Sequence, residues 1–428
     1  MKVLVVGSGG REHALVWALR RSPQVRELHI APGNGGTGDL ATNVPIAAED
    51  ADALADYAAA GRFDLVVVGP EAPIALGLTD LLRARGLRAF APSAAAGRLE
   101  SSKAFSKDFM RKYRIPTAAY AVFDDYAAAA RYLEAHPAPI VVKASGLAAG
   151  KGAIVCRTDA EAHAALRQIM VERAFGGAGD QVVIEECLTG QEVSVLAFAD
   201  GRTVAPMVLS QDHKAIHDGD RGPNTGGMGC YAPAPVLDEA LLRQVVARVL
   251  QPAVDGLAEL GAPYVGVLYA GLMVSGGDFR TLEFNCRFGD PEAQVILPLL
   301  RTDLVDVMNA CLDGRLGQVA LDWSGQSCAC VVMASGGYPG DYARGLEIAG
   351  LDEAARLPDT VVFHAGTRRE GGRVLTAGGR VLGVTAWADG LPEALRRAYA
   401  AVERIHWDGA QYRRDIGAKG LRANEEAR

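Results

Sequence analysis

Short runs of β-branched and aliphatic residues alternate with helical stretches through the first hundred positions, and that alternation leaves few folds open. Residues 3–6, 28–31 and 65–68 read as strands, and residues 13–20, 52–60 and 79–85 as helices. Strands separated by helices pair in parallel through crossovers rather than as hairpins, which gives an α/β unit with its loops at the strand carboxyl ends. Such a sheet is buried on both faces and needs an apolar chain, and 49% of this one is hydrophobic.

The chain has 428 residues, enough for roughly three structural units. We expect an N-terminal α/β unit over 1–100, a central unit over 101–325 with a small mobile lobe at about 117–190, and a strand-rich α+β unit over 326–428. Pro92 and Gly97 punctuate the first junction, and the helix that follows carries Phe105 and Phe109 at i, i+4 spacing. Residues 140–195 read as strand, glycine loop, strand, helix (160–171) and strand (182–186). A long helix over 238–260 and strands over 265–274 and 279–285 follow.

No run approaches the roughly 18 uninterrupted apolar residues of a membrane span. The first apolar run turns into a glycine loop instead of a cleavage site, so a cytoplasmic location is expected. A net charge of −7 gives no general attraction to nucleic acid or anionic lipid. The seven scattered cysteines suit reduced, packed thiols. The 50 glycines fall in clusters, where backbone can approach ligands closely.

The first strand runs into Gly7-Ser8-Gly9-Gly10-Arg11-Glu12-His13, a turn able to present N–H groups to an anion at a helix start. It is not a dinucleotide fingerprint: Glu12 stands where the third glycine belongs, and no acid follows the second strand, which ends in Ala31-Pro32-Gly33. Glu71, just beyond the third strand, is placed to accept hydrogen bonds from a substrate amine or hydroxyl. The segment Lys143-Ala144-Ser145-Gly146-Leu147-Ala148-Ala149-Gly150-Lys151-Gly152 lacks the Walker A order. A glycine hairpin with a lysine at each end can still fold over a triphosphate. Lys103, in a first helical turn, opposes the dipole unless an anion sits there.

The sharpest cluster is Glu283-Phe284-Asn285-Cys286-Arg287. Strand alternation puts Glu283, Asn285 and Arg287 on one face, and Phe284 and Cys286 on the other. A carboxylate and an amide oxygen two residues apart form an incomplete hard-cation site, as magnesium prefers, and Arg287 can pair with a carboxylate or a transferring phosphoryl group. His213 and His217 have zinc-helix spacing, but the glycine- and proline-rich sequence after them argues loop, and no third ligand is near.

In this order the motifs resemble the ATP-grasp superfamily and, within it, the phosphoribosylamine–glycine ligase family of purine biosynthesis. The resemblance covers essentially the whole chain: GSGGREHAL at 7–15, APGNGGT at 31–37, VGPEAP at 68–73, SSKAFSKDFM at 101–110, KASGLAAGKG at 143–152 and IEECLTGQEVS at 184–194. It continues through SQDHK at 210–214, GPNTGGMG at 222–229, YAGLM at 269–273, EFNCRFGDPE at 283–292, ASGGYPGDY at 334–342 and HAGT at 364–367. One departure stands out: Ser145 occupies a position where the family's loop usually has Asp, and Lys143 is therefore expected to be less tethered.

The resemblance implies an α/β protein with an ATP-grasp fold, a Rossmann-like N-terminal parallel sheet and a strand-rich C-terminal domain. It implies ATP and Mg²⁺ (or Mn²⁺), glycine and 5-phosphoribosylamine as substrates, and a monomer. Glu283 and Asn285 would hold the metal. Lys103, Lys143 and Lys151, with Gly146, Gly150 and Gly152, would meet the phosphates; Glu185, Glu186 and Leu188 would meet adenine, and Glu192 ribose. Gly9, Gly10, Arg11, Glu12 and Gly33 would face the phosphoribosyl moiety, and Glu71 would bind substrate. Asp212, Lys214 and Arg287 would face glycine and the reacting phosphoryl group, with Arg287, Lys143 and Asp212 catalytic, and Gly226, Gly227 and Met228 lie in a loop that suits a backbone cradle for a small polar substrate or phosphate. The acceptor of the amine proton stays open among Glu12, His13, Asp212 and the leaving phosphate. A nucleotide sensor keeping this fold would be expected to lack a metal ligand or a phosphate lysine, and none is missing here.

Overall fold

The computed structural model describes residues 1–148 and 150–426. Its first sheet is parallel, in the order Thr42–Asn43, Glu27–Pro32, Lys2–Gly7, Leu65–Val68, Ala89–Phe90. Strand alternation sends Val3, Val5, Ile30 and Val67 to one face, where they share a core with Leu297, Val305 and Met308. Leu4, Val6, Val66 and Val68 go to the other, against Leu54, Ala58 and Leu82 of flanking helices. The order reverses beside the first strand, so a ligand crevice opens at Gly7 and Gly69.

Four antiparallel strands, in the order Tyr120–Phe123, Val182–Glu186, Ile140–Ala144, Ala153–Cys156, make a small lobe with helices Tyr126–Ala135 and Asp159–Met170. The lobe has its own core, including Leu133, Val142, Leu166 and Ile184. A second four-stranded sheet, Val204–Pro206, Gln191–Asp200, Val265–Ser275, Asp278–Asn285, faces it. The stretch read as one long helix is Glu239–Val245, a π turn at Val246–Leu250 and Gln251–Glu259. Pro252, early in the last piece, has no N–H to donate to the helix ladder, a common cause of such a widened turn.

The C-terminal sheet is antiparallel, in the order Gln211–Asp212, Gly229–Ala232, Ser327–Ala334, Arg380–Ala388, Thr360–His364. Its first two strands come from the middle of the chain, which carries the 211–232 segment across to the last unit. The same last unit grips the first: Asn34 Nδ2 donates to the His364 carbonyl at 2.8 Å, and Gly35 N to Thr367 O at 3.2 Å. The first and last units are thus held together by hydrogen bonds.

Candidate active site

At the crevice of the parallel sheet, Glu12 fills the space between two strand ends. Its carboxylate accepts from Gly9 N at 2.7 Å and pairs with Arg11 Nε. A β-carbon at Gly7 or Gly69 would collide with it, and Gly7 has φ +128°, so glycine is required at Gly7 on both counts. The Gly9 N–H and most of the Glu12 carboxylate are therefore already occupied, as are the Arg11 guanidinium, through Glu12, Phe288 O and Glu71, and the N–H groups of residues 33–37. His13 is no candidate base: its Nδ1 accepts from His364 N at 2.9 Å, and burial, reinforced by His364, holds its pKa down to about 3.

A chain of charge leads from this crevice to the central sheet. Arg11 Nη1 lies 3.9 Å from Glu71, Glu71 lies 3.3 Å from Arg287 Nε, and Arg287 Nη2 reaches Glu100 at 3.0 Å. Burial pushes the Glu71 carboxyl up, but Arg287 and Arg11 outweigh it and the net shift is downward. In Glu100 burial wins and the shift is upward, although Cys286 N donates to it. Glu100 carries no sequence signal of its own; only the fold places it under Arg287.

Glu283 and Asn285 end the strand with Phe284 and Cys286 buried on its far side, at 2% and 1% exposure. Among the described residues no ion pair to the Glu283 carboxylate is found. Burial raises its pKa, but Lys103, Lys143, Lys214 and Arg287 overcome that and leave it lowered, hence ionised. Four cations from separate segments thus bear on one carboxylate electrostatically, three of them while paired with other acids. A cation held by a carboxylate and an amide oxygen, with phosphate and water completing its shell, fits this donor set.

Glu283 shares a small cavity with Glu192, Ser194, Asp212, Lys214 and Tyr269. Lys214 Nζ is 2.7 Å from Asp212, whose other oxygen accepts from His213 N at 2.7 Å. Burial first, and Glu292 in addition, raise Asp212 to about 6 against the pull of Lys214. Glu292, missed in the sequence, accepts from Ser194 Oγ at 3.0 Å and Tyr269 Oη at 2.8 Å. His213 has both ring nitrogens engaged, by Gly229 O and Gly417 N, as suits a structural histidine.

The structure corrects several expected contacts. The Glu185 carboxylate is turned away from any ligand: at 2% exposure it lies 2.5 Å from Lys143 Nζ and 2.6 Å from Lys107 Nζ, in a strand paired on both sides. Glu186 pairs with Arg280 at 2.9 Å. Lys143 is consequently tethered whatever stands at 145. Ser145 instead braces a helix start: Ser102 is the N-cap of the Lys103–Lys112 helix, its Oγ accepting from Phe105 N, and Ser145 Oγ accepts from the neighbouring Ala104 N at 3.1 Å. Met228 is fully buried against Ile216 and Ala334, so its side chain touches no substrate. Gly226 N and Gly227 N donate to Tyr338 Oη and Thr225 Oγ1, and the carbonyl of each accepts from Arg380 Nη1. That loop is a buttressed wall, not a cradle of free donors.

The glycine loop is anchored at its base, where Gly146 N donates to Ala178 O at 3.0 Å and Ala144 N to Gly152 O at 2.8 Å. Gly150 has φ +76°, with open space around it. Ala149, within the loop motif, lies outside the described residues. Leu188 is half-buried and Glu192 exposed, beyond the strand that carries Glu185.

The phosphoribosylglycinamide synthetase family matches in three successive stretches: its N domain over residues 1–100, its ATP-grasp (A) domain over 101–293 and its C domain over 328–419. The chain is 52% identical over 424 residues to a phosphoribosylamine–glycine ligase of Allochromatium vinosum, covering 98% of this chain and 99% of that protein. The crystal structure of a phosphoribosylamine–glycine ligase from Thermotoga maritima superposes with a TM-score of 0.85 at 33% identity, over 97% of this chain and 100% of that one. The biotin carboxylase domain of a Hydrogenobacter thermophilus 2-oxoglutarate carboxylase shares the fold at 16% identity, with a TM-score of 0.74 over 96% of this chain and 91% of that one.

Proposed function

The chain belongs to the phosphoribosylglycinamide synthetase family, and on that premise we propose how its residues divide the work of an ATP-dependent ligase joining glycine to 5-phosphoribosylamine in purine biosynthesis. The glycine carboxylate attacks the γ-phosphorus of ATP, releasing ADP and forming glycyl phosphate. The amine of phosphoribosylamine then attacks the glycyl carbonyl, phosphate leaves, and the amide of glycinamide ribonucleotide remains. Neither step needs an enzyme nucleophile, so catalysis rests on positioning and charge neutralisation.

One observation carries this assignment: Glu283, without an ion-pair partner among the described residues, lines one cavity with Glu192, Asp212 and Lys214, on the strand that ends at Asn285, whose amide oxygen lies 3.0 Å from Arg287 Nη2. A triphosphate brought there meets cations from both sides. Lys103 and Lys143 would hold its phosphates, with Lys151 and the 146–152 loop over them. The backbone at Glu186 to Leu188 would meet adenine, and Glu192 ribose. Glu283 and Asn285 would hold Mg²⁺ or Mn²⁺, which when bound neutralises phosphate charge. Lys214, placed by Asp212, would orient the glycine carboxylate, and Arg287 would stabilise the transferring phosphoryl group.

The Gly10–Arg11 turn, the Gly33 loop and Glu71 would bind the phosphoribosyl moiety, so the Arg11–Glu71–Arg287 chain would link the amine substrate to the phosphoryl centre. Closure of the loop would shield the acyl phosphate from water. Among the described residues no helix is long and apolar enough to cross a membrane. A cytoplasmic monomer suits this reading.

The test is phosphate release from ATP with glycine and freshly made phosphoribosylamine, each omitted in turn, with the amide product followed in parallel. Full turnover requires all three substrates. Phosphate release that ignores glycine, or that another small carboxylate supports equally, would overturn the reading.

A further inference from the structure

Lys107 stands one helical turn after Lys103, on the same helix and turned into the protein. It is 2% exposed, which is rare for a lysine and requires a partner. Its Nζ lies 2.6 Å from one oxygen of Glu185 and donates to Thr117 Oγ1 at 2.7 Å; that hydroxyl in turn donates to the Thr281 carbonyl at 2.7 Å. The other oxygen of Glu185 lies 2.5 Å from Lys143 Nζ. One buried carboxylate is therefore divided between two ammonium groups, and the trio carries one net positive charge. Burial, aided by Lys143 and opposed by Glu185, lowers Lys107 to about 8, which leaves it protonated at neutral pH.

We propose that Lys107 is a positioning residue that keeps Lys143 a net cation toward the nucleotide, by taking up half of the Glu185 carboxylate. The proposal rests on the assignment of Lys143 to the ATP phosphates. Without Lys107, Glu185 and Lys143 would form a closed pair of no net charge at the place where a phosphate must be held. With it, Lys143 stays fixed in direction by Glu185 and yet is not neutralised. Lys103 on the preceding turn has no such partner at this carboxylate, which explains why the helix carries two lysines at i, i+4: one to face the ligand and one to balance the acid behind its neighbour.

The experiment is calorimetric titration of the full-length protein with ATP at fixed Mg²⁺, and with adenosine as a probe without phosphates, for wild type, K107M, K107R, E185Q, K107M/E185Q and K143M. The trio carries charges of about +1 in wild type, K107R and the double variant, 0 in K107M, and +2 in E185Q, by simple counting of side chains at neutral pH. K107M should bind ATP about tenfold more weakly while adenosine binding changes by less than about twofold, because a unit charge acts on the phosphates and not on the base. K107R and the double variant should restore ATP binding to within about threefold of wild type, and E185Q should bind it at least as tightly as wild type.

A role in packing alone would weaken ATP and adenosine equally and would not be repaired by E185Q. Either result, or an unchanged ATP affinity in K107M, overturns the proposal. Should K107M not fold, E185Q against the double variant decides, since equal ATP affinities there would also overturn it. If K143M leaves ATP affinity intact, the assignment of Lys143 itself fails; if K143M weakens ATP and K107M does not, only the role of Lys107 falls.

Discussion

Arg287 donates from Nη2 to the amide oxygen of Asn285 at 3.0 Å, so one of the two oxygens suited to a metal is already hydrogen-bonded to a guanidinium. Glu283 has no such partner among the described residues. The pair is unequal, and Glu283 supplies the negative charge that a divalent cation requires.

Replacing Glu283 by Gln should therefore abolish metal-supported ATP turnover, with a loss on the order of a hundredfold or more, while the fold survives because the residue lies at a cleft and not in a core. Activity against Mg²⁺ concentration, with circular dichroism as the control, measures this. Near-normal turnover at low Mg²⁺ in the folded variant would remove Glu283 from the metal site.

The lysines at the two ends of the glycine loop should differ. Lys143 is 7% exposed and held by Glu185, whereas Lys151 is exposed and donates to Pro339 O of the last unit at 3.1 Å. Lys143→Ala should raise KM for ATP and lower kcat together, and Lys151→Ala should act more mildly, since an exposed contact on a loop contributes only about 0.2–1 kcal/mol. Steady-state kinetics with varied ATP reads both parameters. Equal or reversed effects would reject the division of roles.

The parallel sheet was legible because β-branched runs and glycine turns repeat at short range, and the Glu283, Asn285 and Arg287 face was legible because strand alternation is local. The partners of these residues were not. Glu185 reads as an acidic strand end, and only the pairing of its strand with Ile140–Ala144 turns it onto Lys143. Arg380 braces the 226–227 loop from a strand far along the chain, and Glu292 finds Ser194 across two segments. Contacts of that kind depend on how units dock, for which single positions carry no periodic signal.

Acid lability should have an identifiable source at the docking of the first and last units. Burial holds His13 down to about 3, and burial with Arg369 holds His364 down to about 4, against about 6.5 unfolded. Between those values the unfolded chain binds more protons than the folded one, so stability is lost as pH falls below about 6.5 and regained as it rises. Each histidine contributes a slope of up to about 1.4 kcal/mol per pH unit. His13→Asn keeps an acceptor for His364 N and removes the titration, so its urea-unfolding free energy should fall less steeply between pH 6 and about 4.5. Identical slopes would place the acid sensitivity elsewhere.

Ser145 is the position where this chain departs from the loop it resembles, and its hydroxyl accepts from Ala104 N at the start of the Lys103–Lys112 helix. The Lys103 N–H beside it donates to the Ser145 carbonyl at 2.7 Å. An aspartate there would offer Ala104 N a charged acceptor beside the Ser102 cap and interact favourably with the helix terminus by about 0.3–1 kcal/mol. It would also add negative charge near the phosphate lysines, opposing ATP. Lys143 gains little, because Glu185 already fixes it. With two opposed effects of this size, Ser145→Asp should change ATP affinity by no more than roughly fivefold, the factor that corresponds to about 1 kcal/mol. Its melting temperature should rise slightly, as expected for a charged acceptor at a helix start. Calorimetry at fixed Mg²⁺ and a thermal melt of both proteins decide it: a shift of about a hundredfold, near 2.7 kcal/mol, would mean that position 145 takes part in the phosphoryl chemistry rather than in holding the helix that presents Lys103.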